Sequence, residues 1–267
     1  KRKTKRIVWA LYKEFRTKAK LFSRAVIHNI SSTELQMRQT IERHTIRIDH
    51  RISHQERIDI FTEIIKKDPK KFAKDLLYLE QRSKDLDAQL IGINLLVGKG
   101  YTADFSQRHN LKDLILRCAS PFMPLLKLNN SRVEFKNLDN IEIQTDFRLF
   151  NCAMYHFFDN AQKYIKPDAN IIISINFEEK ELSFIMKSRA IEKTEKESIF
   201  NEGFTGSHSG GQKGEGLGLY IFSLVLNELD AITYVDFNEN TRFGRDDIIY
   251  QENIFYIKFL KETLYKI

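Results

Sequence analysis

The chain has 267 residues, of which 42% are hydrophobic and 12% aromatic, so it is long and apolar enough to bury the cores of two compact domains. This composition excludes disorder or a fibrous repeat for most of it. The formal charge is +7, but the first twenty residues carry +8 and the remainder −1, so a general nucleic-acid-binding surface is not indicated. Two cysteines, Cys118 and Cys152, are too few for a disulfide framework and lack metal-ligand spacing.

The basic amino-terminal arm has two interpretations. No apolar run approaches the ~18 residues that a membrane-spanning helix needs. The chain begins at Lys1 rather than Met, and so dense a Lys/Arg cluster fits the cytoplasmic flank of a membrane span further upstream. The solvated start of a helix is the alternative. We expect a cytoplasmic location, with the arm near a membrane in the full-length protein.

The first part of the chain, from about Thr4 to Gly98, is predicted to be helical because strong helix formers dominate and Gly and Pro are rare. Pro69 predicts a break between two helices. Two antiparallel helices bury little surface, so we expect them to pair with a second copy as a dimeric four-helix bundle. The second helix carries a heptad seam, which consists of Phe72, Leu76, Leu79, Ser83, Leu86, Leu90, Ile93 and Val97.

Beyond about Gly100 the pattern changes to alternating strands and helices, which indicates an α+β fold. Asp146 is a typical N-cap for a helix predicted at 147–164. Most of the eleven glycines fall between Gly203 and Gly218, which directs attention to that segment. Other helices are predicted at 111–127 and 216–228, with a short one ending at Phe200. Strands are predicted at 132–138, 141–144, 170–177, 181–187, 232–237 and 254–260.

Two segments carry the strongest signal of chemistry: Asn-Ala-Gln-Lys-Tyr at 160–164 and Gly-Glu-Gly-Leu-Gly-Leu at 214–219. Glycines at alternate positions let backbone N–H groups approach a polyphosphate at a helix N-terminus. Asn160 offers an oxygen of the hard kind that Mg²⁺ prefers. Lys163 adds positive charge for phosphates, and Tyr164 an aromatic face for a base. Ordinary turns also explain such glycines, and neither a P-loop nor a Rossmann fingerprint is present.

Together these segments resemble the N box and second glycine box of the ATP-binding domain of sensor histidine kinases, in the wider family of gyrase, Hsp90 and MutL. Ile-Phe-Asn-Glu-Gly-Phe at 199–204 resembles the family's F box, and the resemblance spans 145–236. It implies an α/β-sandwich domain of that type, Mg-ATP as ligand and Asn160 as the Mg²⁺ ligand. The further nucleotide-binding residues that it implies are Lys163, Tyr164, Ser188, Phe200, Phe204, His208, Lys213, Gly214, Gly216, Leu217, Gly218 and Leu219.

His156 stands four residues before Asn160. At this position the ATPases of the wider family resemble one another in carrying a Glu that activates water, whereas histidine kinases commonly carry His or Asn. The missing carboxylate favours phosphoryl transfer to a protein acceptor over hydrolysis. A half-buried structural histidine is the alternative interpretation of His156.

The acceptor implied by the resemblance is His28, since Val-Ile-His-Asn-Ile-Ser-Ser-Thr at 26–33 resembles the family's H box. The first helix repeats the seam spacing less regularly, starting from Ile27 and Ile30. His28 lies one residue off this seam, so its imidazole is free to face solvent and act as a nucleophile. Asn29 replaces the acidic residue that follows the acceptor in the family; an amide cannot take the ring proton, and Glu34 is a substitute base. Ser32 occupies the position of the family's phosphatase residue.

The first glycine box of the family, Asp-x-Gly-x-Gly, is missing, and Met186, Ser188 and Ala190 stand in its place. In the family the Asp accepts a hydrogen bond from the adenine amino group. Met cannot accept it, at a cost of about 1 to 3 kcal/mol, which Ser188 offsets in part if it hydrogen-bonds the base.

The resemblance therefore implies a two-component histidine kinase core, with a dimerisation and phosphotransfer hairpin at 1–100 and a catalytic ATP-binding domain at 101–267. We expect autophosphorylation on His28, transfer to an Asp of a response-regulator receiver domain, and control by an upstream sensor outside this fragment. The alternative is a degenerate kinase that serves as a dimeric docking module, which Asn29 and Met186 favour. His156 disfavours a gyrase-type ATPase, and a coiled-coil structural protein explains the first half only.

Overall fold

The computed structural model describes residues 53–96, 101–208, 216–245 and 248–267. The chain divides into two compact units, Lys1–Gln89 and Leu90–Ile267. None of the helices in the described ranges is long and apolar enough to cross a membrane.

The described part of the first unit is helical. Helix α1, His54–Lys67, begins with a capping box in which the Ser53 hydroxyl accepts from the Glu56 N–H and the Glu56 carboxylate accepts from the Ser53 N–H. Helix α2, Pro69–Leu96, follows after Asp68 alone, so the break predicted at Pro69 is confirmed. Leu76 of the predicted seam is 51% exposed within a single chain. The expected four-helix bundle stays a prediction, because most of its first helix lies outside the described residues.

The second unit holds two sheets and confirms the predicted α+β fold. The larger sheet has the order β2-β4-β5-β7-β6 and the smaller one β1-β3-β8. All neighbouring strands are antiparallel except β2 and β4. The strands are β1 Arg108–Asn110, β2 Val133–Lys136, β3 Ile141–Gln144, β4 Ile171–Asn176, β5 Glu181–Arg189, β6 Ala231–Arg245, β7 Ile248–Phe259 and β8 Leu264–Lys266.

In the part of the unit that the structure describes, four α-helices accompany these sheets: α3 Leu111–Ala119, α4 Met123–Leu128, α5 Phe147–Tyr164 and α6 Gly218–Glu228. The core lies where α5 and α6 meet one face of the larger sheet. The Phe157 ring of α5 lies 4.4 Å from that of Phe184 on β5, 5.7 Å from that of Phe255 on β7 and 5.6 Å from that of Phe222 on α6. Burying such aromatic side chains is the main stabilising contribution to this layer.

Helix α5 has the predicted ends because Asp146 caps it. One carboxylate oxygen accepts from the N–H groups of Arg148 and Leu149 at 2.8 and 3.0 Å, and the other accepts from Asp104 at 2.9 Å. At the other end, Ile165 forms a β-bridge with Ser188 of β5. The carboxyl end of α5 is thereby fixed next to the end of β5.

The structure differs from the predicted elements in four places. The helix predicted at 111–127 is two helices, α3 and α4, because Pro121 and Pro124 interrupt it and the 3₁₀ turn Ser120–Phe122 lies between them. Strand β6 continues past residue 237, where the predicted strand ends, and strand β7 begins before residue 254, where the predicted strand starts. The two strands are longer than predicted because their pairing continues through polar, turn-like residues. The short strands β1 and β8 were not predicted. The segment before Phe200 holds one 3₁₀ turn, Lys193–Glu195, followed by turns rather than a longer helix.

Candidate functional site

The start of α6 lies beside the middle of α5. A Cβ atom built on Gly218, the first residue of α6, would lie 3.9 Å from the carbonyl oxygen of His156, which is an ordinary contact. In an α-helix that carbonyl accepts from the N–H four residues later, which belongs to Asn160. The amino-terminal end of α6 therefore lies next to the turn of α5 that carries Asn160. Of the two residues flanking Gly218, Leu217 is half-buried and Leu219 is buried.

Gly216, two residues before α6, lies against the predicted F box. Its φ is +68°, and a Cβ atom there would lie 2.5 Å from the backbone of both Gly203 and Phe204. Only glycine fits this position, for conformational as well as steric reasons. Phe200 of the same segment stacks on Phe222 of α6, with ring centroids 6.4 Å apart. The structure thus brings Phe200, Phe204, Gly216 and Gly218 to one end of α6.

His156 is buried behind this end rather than exposed in it. Its Nε2 atom lies 3.3 Å from the Cβ position of Gly92, in the last turns of α2 that belong to the second unit, and has no hydrogen-bond partner among the described residues. Burial lowers the pKa of His156 to about 4; the nearby Asp159 opposes this shift and Lys163 adds to it. The ring is therefore neutral at pH 7 and packs between helices.

Asn160, Lys163 and Tyr164 occupy the carboxyl-terminal turns of α5. The Asn160 side chain is half-buried. The Lys163 ammonium pairs with Asp159 at 2.6 Å on the surface of the helix. The Arg189 guanidinium lies 5.4 Å from the centre of the Tyr164 ring, so this aromatic face already has a cationic neighbour.

The missing first glycine box is replaced by buried side chains and a polar cluster. Met186 and Ser188 are each 3% exposed. Ser188, Gln251 and Asn253, which we call the polar cluster, are buried together at the ends of β5 and β7. Asn253 Nδ2 donates to Ser188 Oγ at 2.7 Å, and Gln251 Nε2 donates to Asn253 Oδ1 at 2.9 Å. Ala190, also buried, donates its N–H to the Ile249 carbonyl at 2.8 Å.

His208 is held by charged side chains rather than standing free. Its Nε2 atom lies 2.6 Å from a carboxylate oxygen of Glu192, and the same oxygen accepts from Arg242. The hydrogen bonds from His208 and Arg242 lower the pKa of Glu192. Arg189 donates to the His208 carbonyl at 3.3 Å. This group ties the residues after Phe204 to the β6–β7 ribbon.

Six residues singled out from the sequence lie outside the described residues: His28, Asn29, Ser32, Glu34, Lys213 and Gly214. Four that the sequence reasoning missed are Glu192, Arg242, Gln251 and Asn253. Polar residues in alternation along a buried strand, as at Gln251 and Asn253, were the available signal for two of them. Within the described ranges, no three His, Cys, Asp or Glu residues lie close enough to hold a metal ion.

The arrangement fits an anionic ligand with a metal ion. The first turn of α6 presents backbone N–H groups and the positive end of the helix dipole. At Gly218 the described residues leave room for a closely approaching group, while Asn160 next to it offers an amide oxygen. One amide oxygen is a weak Mg²⁺ site on its own, so phosphate oxygens and water complete such coordination.

No protein-family model matches the chain, and no curated protein does either. Among solved structures, the mycobacterial sensor histidine kinase MprB is similar over 57% of this chain and 99% of its own, with 16% identity and a TM-score of 0.44. The histidine kinase AdeS of Acinetobacter baumannii is similar over 87% of this chain and 96% of its own, with 12% identity and a TM-score of 0.41.

A third similar structure is histidine kinase ThkA in complex with the response regulator TrrA. The similarity spans 92% of this chain and 65% of the ThkA chain, with 18% identity and a TM-score of 0.41. At these identities the similarity concerns the fold alone.

Proposed function

We propose that the second unit binds Mg-ATP and that the chain is the core of a sensor histidine kinase. The observation that supports this most is the start of α6 beside the turn of α5 that carries Asn160, with space at Gly218. The backbone N–H groups of α6 bind the phosphates, and the Asn160 amide oxygen holds Mg²⁺. We call Asn160, Gly216 and Gly218 the phosphate end of this site.

The reaction that follows is transfer of the γ-phosphoryl group to His28. A ring nitrogen of His28 forms the new N–P bond while the bond to the bridging oxygen of ADP breaks, and the proton on the other ring nitrogen passes to Glu34 or to solvent. Mg²⁺ held by Asn160 would offset the charge that develops on the leaving oxygen. Hydrolysis is disfavoured because His156, the residue at the position of a water-activating base, is buried among helices. Its Nε2 atom is buried and faces Gly92, and the residue as a whole is only 9% exposed, so it is poorly placed to activate water.

The partners in this proposal follow from the same chemistry. The phosphoryl group on His28 passes to an Asp of a response-regulator receiver domain. The helices of the segment 1–100 form a homodimer through the predicted seam, to which the exposed Leu76 contributes, and the segment 101–267 is the catalytic domain. A cytoplasmic location, with the basic arm near a membrane, completes the proposal.

The test is incubation of the chain with γ-labelled ATP and Mg²⁺, followed by measurement of the acid and base stability of protein-bound label. We expect an acid-labile, base-stable label that His28→Ala and Asn160→Ala abolish. His50→Ala, in the same segment that is predicted to be helical, and Asn176→Ala, on the exposed end of β4, are matched controls that keep the label. Nucleotide binding without label would contradict phosphoryl transfer, and the absence of both would contradict the proposal as a whole.

A second candidate is a degenerate kinase that acts as a dimeric docking module. The buried side chains of Met186, Ser188 and Ala190, where the resembled family has Asp and two glycines, favour it. Titration of the chain with Mg-ATP separates the candidates, because a docking module does not require nucleotide. We place the kinase first because the phosphate end has Gly216 and Gly218 at the start of α6, beside the turn of α5 that carries Asn160.

A further inference from the structure

The hydrogen bonds of the polar cluster fix the orientation of both of its amide groups. Asn253 Nδ2 lies 2.9 Å from the Arg189 carbonyl, which only accepts, so the donating atom must face it. Asn253 Oδ1 is therefore an acceptor for Gln251. Gln251 Nε2 also lies 3.0 Å from the Ile191 carbonyl, so both of its hydrogens are used. The Gln251 amide cannot be turned over without setting oxygen against oxygen.

One acceptor and one donor remain in the cluster after this assignment. Gln251 Oε1 is buried and has no hydrogen-bond partner among the described residues. Ser188 Oγ already accepts from Asn253, so its hydroxyl hydrogen is left to donate. Gln251 and Ser188 are directly opposite each other on adjacent strands, and cross-strand neighbours lie close enough to contact a common ligand group.

The cluster also lies at the end of α5 where a nucleotide base is expected. Ser188 bridges to Ile165, the residue after Tyr164, and its cluster partner Gln251 holds the carbonyl of Ile191 on the segment after β5. An unpaired buried acceptor in this place is costly for a protein to keep, so its persistence indicates a role toward a ligand.

We propose that Gln251 is the residue that selects adenine, and this rests on the proposed binding of ATP. Gln251 Oε1 accepts from the 6-amino group of the base, and the Ser188 hydroxyl donates to the neighbouring ring nitrogen N1. Guanine presents the opposite pattern, a carbonyl oxygen at position 6 and an N–H at position 1, and is rejected. Gln251 Oε1 is shielded from solvent, so the side chains that cover it move aside as the base enters.

The test compares wild-type protein and Gln251→Met in titrations with Mg-ATP and with the triphosphate of purine riboside, which lacks the 6-amino group. Met keeps the length of the side chain and removes the acceptor. We expect the substitution to weaken ATP binding by about tenfold to a hundredfold. Binding of the purine riboside triphosphate is expected to change by less than about threefold, since it has no amino group to lose.

Gln144→Met on β3 is the matched control. Gln144 is a half-buried strand glutamine that hydrogen-bonds the Phe105 carbonyl and the Tyr265 hydroxyl in the smaller sheet, so its substitution has a structural cost with no effect on nucleotide affinity. Thermal unfolding of all variants separates folding from binding.

Two results would overturn the assignment of Gln251. One is unchanged ATP affinity in Gln251→Met, and the other is an equal loss for both nucleotides, which would mean a structural role. A wild-type chain that binds neither nucleotide would instead refute the proposed function itself, so the two failures are distinguishable.

Discussion

The two ends of the proposed nucleotide site are built by different means. At the phosphate end the requirement falls on the backbone, because Gly216 has φ +68° and fits only as glycine while Gly218 leaves space at the start of α6. At the other end, which we call the base end, Met186 and the polar cluster fill the space with side chains. The two glycines of the phosphate end are therefore hard to replace, whereas the side chains of the base end are open to exchange.

Because the two ends depend on different groups, a chain without the first glycine box can still keep the backbone that binds phosphate. A polyphosphate is recognised by N–H groups and a helix dipole that any sequence supplies once the backbone is in place. A base is recognised by individual donors and acceptors, which other residues of the same sheet are able to replace.

Adding a methyl group at each glycine of the phosphate end is the strongest test of whether the backbone there requires glycine. Gly216→Ala sets a Cβ atom 2.5 Å from backbone atoms at a positive φ, so we expect it to lower the free energy of unfolding by about 3 kcal/mol. Gly218→Ala meets only an ordinary contact and favours the helix, so stability rises by up to about 1 kcal/mol.

Nucleotide binding separates these two variants further. Gly218→Ala is expected to weaken Mg-ATP binding by about a hundredfold, because the methyl group occupies the position of the ligand. Chemical denaturation and ATP titration of the same samples check both statements. A Gly218→Ala variant with unaltered ATP affinity would show that no ligand approaches this helix end.

The buried ring behind the phosphate end has a pH signature of its own. The pKa of His156 is about 4 in the folded chain against 6.5 ordinarily, so between these values the unfolded chain binds a proton that the folded chain does not. The contribution of the neutral His156 ring to the free energy of unfolding is therefore fully present above pH 6.5. It falls by about 3 kcal/mol as the pH drops towards 4.

Urea denaturation at a series of pH values measures this slope, and His156→Leu is the variant that removes it. The substitution places an apolar side chain of similar size between α5 and Gly92 of α2. If wild-type and variant lose stability in parallel between pH 6.5 and pH 4, His156 is not the group responsible.

Single side-chain truncations at the two ends give a smaller contrast. Ser188→Ala removes one partner of Asn253, which keeps the Arg189 carbonyl, so the expected cost is about 1 kcal/mol of folding stability. Asn160→Ala is expected to leave stability within about 0.5 kcal/mol of wild type while Mg²⁺-dependent ATP binding is lost. Thermal unfolding with and without Mg-ATP measures the stability and the ATP binding of each variant. A loss of stability in Asn160→Ala but not in Ser188→Ala would contradict these expectations.

The smallest effect is expected at Lys163. Its ion pair with Asp159 is on the surface, where such pairs contribute about 0 to 1 kcal/mol. Lys163→Met should therefore change unfolding little and weaken ATP binding by less than about tenfold. The loss should shrink as salt concentration rises, because screening reduces the attraction of Lys163 for phosphate. A salt-independent loss would indicate packing rather than charge.

An element of this fold could be predicted when the residues that determine its ends lie within its own sequence. Helix α5 was predicted with its observed ends because the Asp146 cap and the helical period both lie within its own sequence. The ends of β6 and β7 were not, since Asn238 and the residues after it read as a turn and are strands only through pairing with the partner strand. The first strand, β1, is three residues long and carries too short a pattern to detect.

The same division holds for the site. Asn160 and the glycines of the phosphate end were found because each motif is contiguous in sequence. The polar cluster was missed because Ser188 meets Gln251 and Asn253 only through the register of β5 and β7, more than sixty residues apart. His156 was identified by position, but its burial behind Gly92 depends on helix packing that no spacing reveals.

The edges of the larger sheet have a consequence for handling the protein in solution. One edge is β2, only four residues long with Glu134 and Lys136 on it, and the other is β6, whose pairing is irregular between Asn238 and Phe243. Short, charged or irregular edges are poor templates for strands of another molecule. The β2 edge is thereby protected against pairing with another molecule. Strand β6 is fifteen residues long and carries the exposed Ile232 and Tyr234, so it is the edge where a charged substitution would most improve behaviour at the high concentrations that crystallisation demands.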